Sequence, residues 1–74
     1  MSSQFQKKVG LRIKQIRLEK GYLQIDIAED LGVTRQMISK VERGEINLSI
    51  TYLLKLSIAL ETTPADLIDV IKKT

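Results

Sequence analysis

One glycine constrains this chain more than any other residue. Gly32 stands between two short apolar stripes, Ile27, Ala28 and Leu31 before it, Ile38 and Val41 after it. In each stripe the spacing is that of a helix burying one narrow face. A glycine can take positive φ, so one helix can end there and another begin within three or four residues. The stretch Leu23 to Gly44 therefore predicts two short helices joined by a tight turn.

The second of these helices is the better marked. Thr34 can cap it, Val33 and Ile38 have the spacing of a hydrophobic staple, and Gly44 supplies the stop. Off the buried stripe lie Arg35, Gln36, Met37, Ser39, Lys40 and Arg43, a set rich in long donors and free of carboxylates. Two helices around a sharp turn, the second with an outward face of this kind, form a helix-turn-helix suited to a DNA major groove.

The same residues carry a resemblance. Gln24, Ile27-Ala28, Leu31-Gly32-Val33, Ile38-Ser39 and Glu42-Arg43-Gly44 resemble the pattern of the Cro/CI-type, or XRE-like, helix-turn-helix regulators, and the likeness extends from about Val9 to Leu67. Leu23 stands where that family usually has a capping Ser or Thr, and Leu48 where it often has Pro. The resemblance implies an all-α, compact five-helix fold of the lambda-repressor-like type, with helices 2 and 3 forming the motif. It also implies an ion pair between Arg17 and Glu42 across the helix junction. The short members it suggests are Cro-like repressors, restriction–modification controllers and antitoxin-like regulators.

Length and composition narrow the alternatives. Seventy-four residues are expected to form a single domain, 1–74, with the motif at 23–44 and without room for a separate sensor. The chain has no Cys and no His. A disulfide framework, the usual metal ligands and the commonest catalytic base are therefore missing, which points away from an enzyme, a metal site or a cofactor. No apolar run approaches membrane-spanning length, so the default location is the cytoplasm. Residues 1–43 hold nine Lys or Arg against five Asp or Glu, a balance of +4, whereas residues 44–74 balance at −1. The basic half contains the motif, as a polyanion partner requires.

In chain order, Ser3 to Gln6 has capping-box spacing and opens a first helix that Gly21 can close, with Phe5, Val9, Ile13 and Ile16 on one face. Leu11 and Leu18 fall nearly opposite and are expected to be exposed. The first motif helix lacks a side-chain cap at Leu23, which leaves its first amides to water or a phosphate, with Gln24 as an added donor. Asn47 either contacts a phosphate or bonds its own backbone in the turn. Ser49 caps a fourth helix with Leu53, Leu56, Ser57 and Leu60 in its core stripe. Thr63-Pro64-Ala65-Asp66 opens a fifth, and helices four and five together span 49–73.

Function follows from this layout. Arg35, Gln36 and Lys40 are expected to reach base edges, with Met37 against a thymine methyl or sugar. Gln24, Thr34, Ser39, Arg43 and Asn47 are expected to contact phosphates. Leu54 and Ile58, with Leu67, Ile68, Val70 and Ile71 of the last helix, form an apolar surface wider than one neighbour needs, which predicts a homodimer. The plainer alternative is that the fifth helix wraps the core. A two-fold dimer would place its recognition helices about 34–36 Å apart on a pseudo-palindromic operator. The partners expected are double-stranded DNA, a second copy of the chain and, for an activator, RNA polymerase, with no metal and no membrane. A protein-interaction or antitoxin-like module that keeps the helical fold without reading DNA is the alternative function, and the acid-free outer face argues against it.

Overall fold

The structure, a computed structural model, describes residues 2–69, with side chains from Gln4 onward. Five helices follow in order: α1 Ser2–Glu19, α2 Gln24–Leu31, α3 Arg35–Glu42, α4 Ile50–Ala59 and α5 Pro64–Leu67. Among the described residues there is no strand, and no helix is long and apolar enough to cross a membrane. The α2–α3 pair lies between α1, which packs on α3, and α4, which packs on α2, while α5 closes the bundle against α4 and α1.

The core forms where the stripes meet. Val9, Ile13 and Ile16 of α1 bury against Ile27 and Ala28 of α2 and Ile38 and Val41 of α3, with Leu56 and Leu60 beneath them. Phe5, expected on the same face of α1, stays 39% exposed at the edge. Leu53 is half-buried, and Ser57 is buried with its hydroxyl donating to the Leu54 carbonyl at 2.7 Å. Leu11 and Leu18 are exposed. The start of α1 departs from expectation, because the backbone is already helical at Ser2 and Ser3 therefore lies inside the helix.

The turn at Gly32 has φ 72°, and the Val33 N–H reaches back to the Ala28 carbonyl at 2.9 Å while the Gly32 N–H donates to Glu29 at 3.2 Å. These bonds satisfy carbonyls that a helix end otherwise leaves open. The same pair of back-bonds ends α4, from Glu61 to Ile58 and from Thr62 to Ser57, yet the residue at positive φ is Glu61, at 58°. Gly10 has a different role. A Cβ there would lie 2.5 Å from the Val41 carbonyl oxygen and 2.7 Å from that of Glu42, so only glycine lets α1 approach the end of α3 so closely.

The fifth helix is short within the described residues, and its attachment is specific. Arg12 Nη2 donates to Asp66 Oδ1 at 2.6 Å, Arg12 Nε donates to the Asp66 carbonyl at 3.2 Å, and Thr62 Oγ1 donates to Asp66 Oδ2 at 2.7 Å. Arg12, and then Thr62, hold the Asp66 carboxyl below its usual range. Leu67 is fully buried and belongs to the core, which corrects its assignment to a dimer surface. The side chain points inward because α5 wraps α4 and α1. Val70 and Ile71 lie outside the described residues.

Candidate nucleic-acid interface

The two faces of α3 differ sharply. Ile38, Val41 and Glu42 are buried, Arg35, Gln36 and Lys40 are exposed, and Met37 and Ser39 are half-buried between them. Thr34 starts the helix by accepting the Met37 N–H at 3.1 Å, so its hydroxyl works as a cap and also stands at the rim of the outer face. Arg43 is the last capping residue, and its Nη1 donates to Ser39 Oγ. Asn47 is exposed in the connector to α4.

Beneath this face runs a chain of polar contacts. Arg17 Nε donates to Glu42 Oε2 at 2.6 Å and Nη2 to Oε1 at 3.1 Å, while Nη1 donates to the Tyr22 carbonyl at 2.7 Å. Their side chains are 7% and 3% exposed, so each charge depends on the other in a setting that excludes water. Gln24 Nε2 also donates to Glu42 Oε1, at 3.0 Å, and Gln24 Oε1 accepts Arg35 Nη1 at 3.2 Å. A buried acid on α3 thus orients an amide on α2, and that amide in turn holds the first arginine of the outer face. Gln24, expected to serve a phosphate, is engaged on both ends of its amide in the free protein.

Three features of the site were missed by the sequence reading. At the start of α2, the Asp26 carboxylate accepts the Leu23 N–H at 2.8 Å, supplying the half of a capping box that does not need a Ser or Thr. The acid three residues after the cap was the available signal. Glu45 lies against Arg43, with Nε to Oε2 at 2.8 Å, and this guanidinium holds its carboxyl below the ordinary range. On α4, Ile50 is 79% exposed and continues the line of Leu54 (47%) and Ile58 (77%) at four-residue spacing. Ile68 is 37% exposed. A groove of about 350 Å³ between α2 and α4, lined by Asp30, Leu31, Lys55, Ile58 and Ala59, adjoins that apolar line.

Comparison with known proteins places this arrangement. The helix-turn-helix family model matches residues 13–67. The HTH-type transcriptional regulator SinR of Bacillus subtilis is 42% identical over 62 residues, covering 82% of this chain and 56% of SinR. The control protein C.BamHI of Bacillus amyloliquefaciens is 39% identical over 61 residues, covering 81% of this chain and 75% of that protein. The chain spans about half the length of the SinR regulators it matches, 56% in one species and 50% in another. Among solved structures, the restriction–modification controller C.Esp1396I, as a tetramer with its natural 35 base-pair operator, superposes with a TM-score of 0.80. It is 36% identical, and the match covers 93% of this chain and 91% of that one.

Proposed function

Because the chain belongs to the helix-turn-helix family of transcriptional regulators, we propose that it binds double-stranded operator DNA sequence-specifically as a homodimeric repressor or controller. The observation that carries this reading is the division of α3, whose exposed side holds Arg35, Gln36 and Lys40 while its acid, Glu42, is buried. Such a face can approach a polyanion without repulsion and match base edges, Arg35 to guanine O6/N7 and Gln36 to adenine N6/N7. Met37, half-buried at its edge, suits a thymine methyl or the sugar.

In this reading Thr34, Ser39, Arg43 and Asn47 meet phosphates, joined by Gln24 once its amide rearranges. Together they fix how α3 enters the groove. The exposed line of Leu54 and Ile58, together with exposed Ile68, supports a two-fold contact on the side away from the basic half. A pseudo-palindromic operator follows from that symmetry. RNA polymerase is a further partner if the protein activates, and its place of action is the cytoplasm.

Selection of bound sequences from random duplex DNA, followed by titration across salt, tests the proposal. The expected result is an enriched palindromic motif, with affinity falling steeply as salt rises because counterions are released. No enriched motif together with flat salt dependence would return the chain to the class of protein-interaction modules.

A further inference from the structure

Arg43 is already gripping an anion. Its Nε donates to Glu45 Oε2 at 2.8 Å, its Nη2 to Glu45 Oε1 at 3.3 Å, and its Nη1 to Ser39 Oγ. Two side-by-side N–H donors on the two oxygens of one anion is also how a guanidinium takes a phosphodiester. The carboxylate is held close by the local backbone. Its residue directly follows Gly44, which packs against Lys7, and the Glu45 N–H donates to the Lys40 carbonyl at 3.0 Å. Arg43 holds this carboxyl below its ordinary range.

We propose that Glu45 is an internal stand-in for a DNA phosphate, closing the fork of Arg43 so that any duplex must exchange Glu45 for one of its own phosphates. This rests on the phosphate role of Arg43 stated above. The exchange trades one charge-assisted fork for another, and it leaves a freed carboxylate facing the DNA. Arg43 therefore adds less to the binding of arbitrary sequence than an arginine without an internal carboxylate partner would, and base contacts carry a larger share of the total. Arg35 differs, since its internal partner is the neutral amide oxygen of Gln24 at 3.2 Å, a weaker acceptor than a carboxylate. The arginine assigned to bases is lightly held, and the one assigned to the backbone is held by a charge. Both members of the Arg43–Glu45 pair are about half exposed, at 54% and 51% of their side chains, so the exchange opens no core.

The test is anisotropy titration of a labelled random-sequence duplex across salt with four proteins: wild type, Glu45→Gln, Arg43→Ala and the double variant. Thermal melts establish that all four fold. Glu45→Gln is expected to tighten binding by up to roughly fivefold at low salt, the range open to a surface charge pair, and to steepen the salt slope by up to about one unit. Its selected base motif is expected to match that of wild type. In the Arg43→Ala background the same change is expected to give a much smaller gain. An unchanged affinity on Glu45→Gln, or an equal gain in both backgrounds, overturns the inference, the latter because Glu45 would then act only as a nearby negative charge. If Arg43→Ala itself leaves affinity and slope unchanged, the phosphate role of Arg43 falls and this inference falls with it. Failure of Glu45→Gln alone leaves that role standing.

Discussion

Removing one partner of the Arg17–Glu42 pair is expected to cost far more than removing both. Arg17 and Glu42 are both buried, and two hydrogen bonds of 2.6 and 3.1 Å join them. After Glu42→Ala the guanidinium keeps the Tyr22 carbonyl, a neutral acceptor, and after Arg17→Ala the carboxylate keeps the Gln24 amide, a neutral donor. Either variant leaves a buried charge without a counter-charge, at a cost of about 3–5 kcal/mol. A chain of 74 residues has a total stability on the order of 4–11 kcal/mol at ~0.05–0.15 kcal/mol per residue, so either single variant removes a large share of it. Replacing both by apolar residues of similar length, Arg17→Met with Glu42→Leu, strands no charge and is expected to be near neutral or stabilising by about 1–4 kcal/mol. Urea unfolding followed by circular dichroism measures all corners of the cycle. The double variant also removes the acceptor that orients Gln24, so it should fold well and bind operator poorly. A coupling energy below about 0.5 kcal/mol, or single-variant losses no larger than the ~1 kcal/mol of a surface pair, would refute the reasoning.

Other expectations are independent of that pair. Arg35→Ala should cost about 1–3 kcal/mol of operator binding and relax the selected motif at one base position, while the fold is unchanged by circular dichroism. Gly10→Ala places a Cβ 2.5 Å from a backbone oxygen of α3. Pushing α1 away should lower stability by roughly 1–3 kcal/mol in urea melts and weaken operator binding as Glu42 moves. Among the described residues the buried Tyr52 hydroxyl has no partner, so Tyr52→Phe should raise stability by about 1 kcal/mol. Burial raises the Tyr52 phenol above its ordinary value of 10.0. Its contribution is therefore intact below that value and lost as pH climbs through the raised one, and Tyr52→Phe should flatten this alkaline loss in melts taken from neutral pH upward. Ile58→Glu should set like charges across the proposed two-fold contact and give a folded monomer by ultracentrifugation, and a variant that stays dimeric moves the interface elsewhere.

What could be read from the sequence was whatever has a periodic or capping signature. The two stripes around Gly32, the caps at Thr34, Ser49 and Thr63, and the inward turn of Ile38 and Val41 all arise from local preferences that a short window contains. Leu67 was misread because its apolar neighbours made the last helix look two-sided, and only the path of α5 over α4 shows which side is covered. Arg12 with Asp66, 54 positions apart, carries no local mark at all. Glu61 was invisible for another reason. It takes a conformation that glycine adopts in three other turns, at Gly21, Gly32 and Gly44, so the usual residue signal for a helix end was missing there. Within the candidate site, the residue types on the outer face of α3 were legible. The engagement of Gln24 and Glu45 was not, because hydrogen-bond partners of flexible side chains depend on tertiary position.

The inward and outward halves of α3 can vary separately. Thr34 caps the helix and Ile38, Val41 and Glu42 are its buried residues, whereas Gln36 and Lys40 are exposed. Exposed substitutions away from caps and networks usually shift stability by no more than about 0.5 kcal/mol. A lineage or an engineer can therefore rewrite the address read at positions 36 and 40 while the scaffold carries almost none of the consequence. Position 35 is less free. Its side chain is tied through Gln24 to the buried acid, so a new residue there has to come to terms with α2 as well as with the base it meets. New specificities built on this scaffold should accumulate first at 36 and 40 and reach 35 only alongside changes at 24.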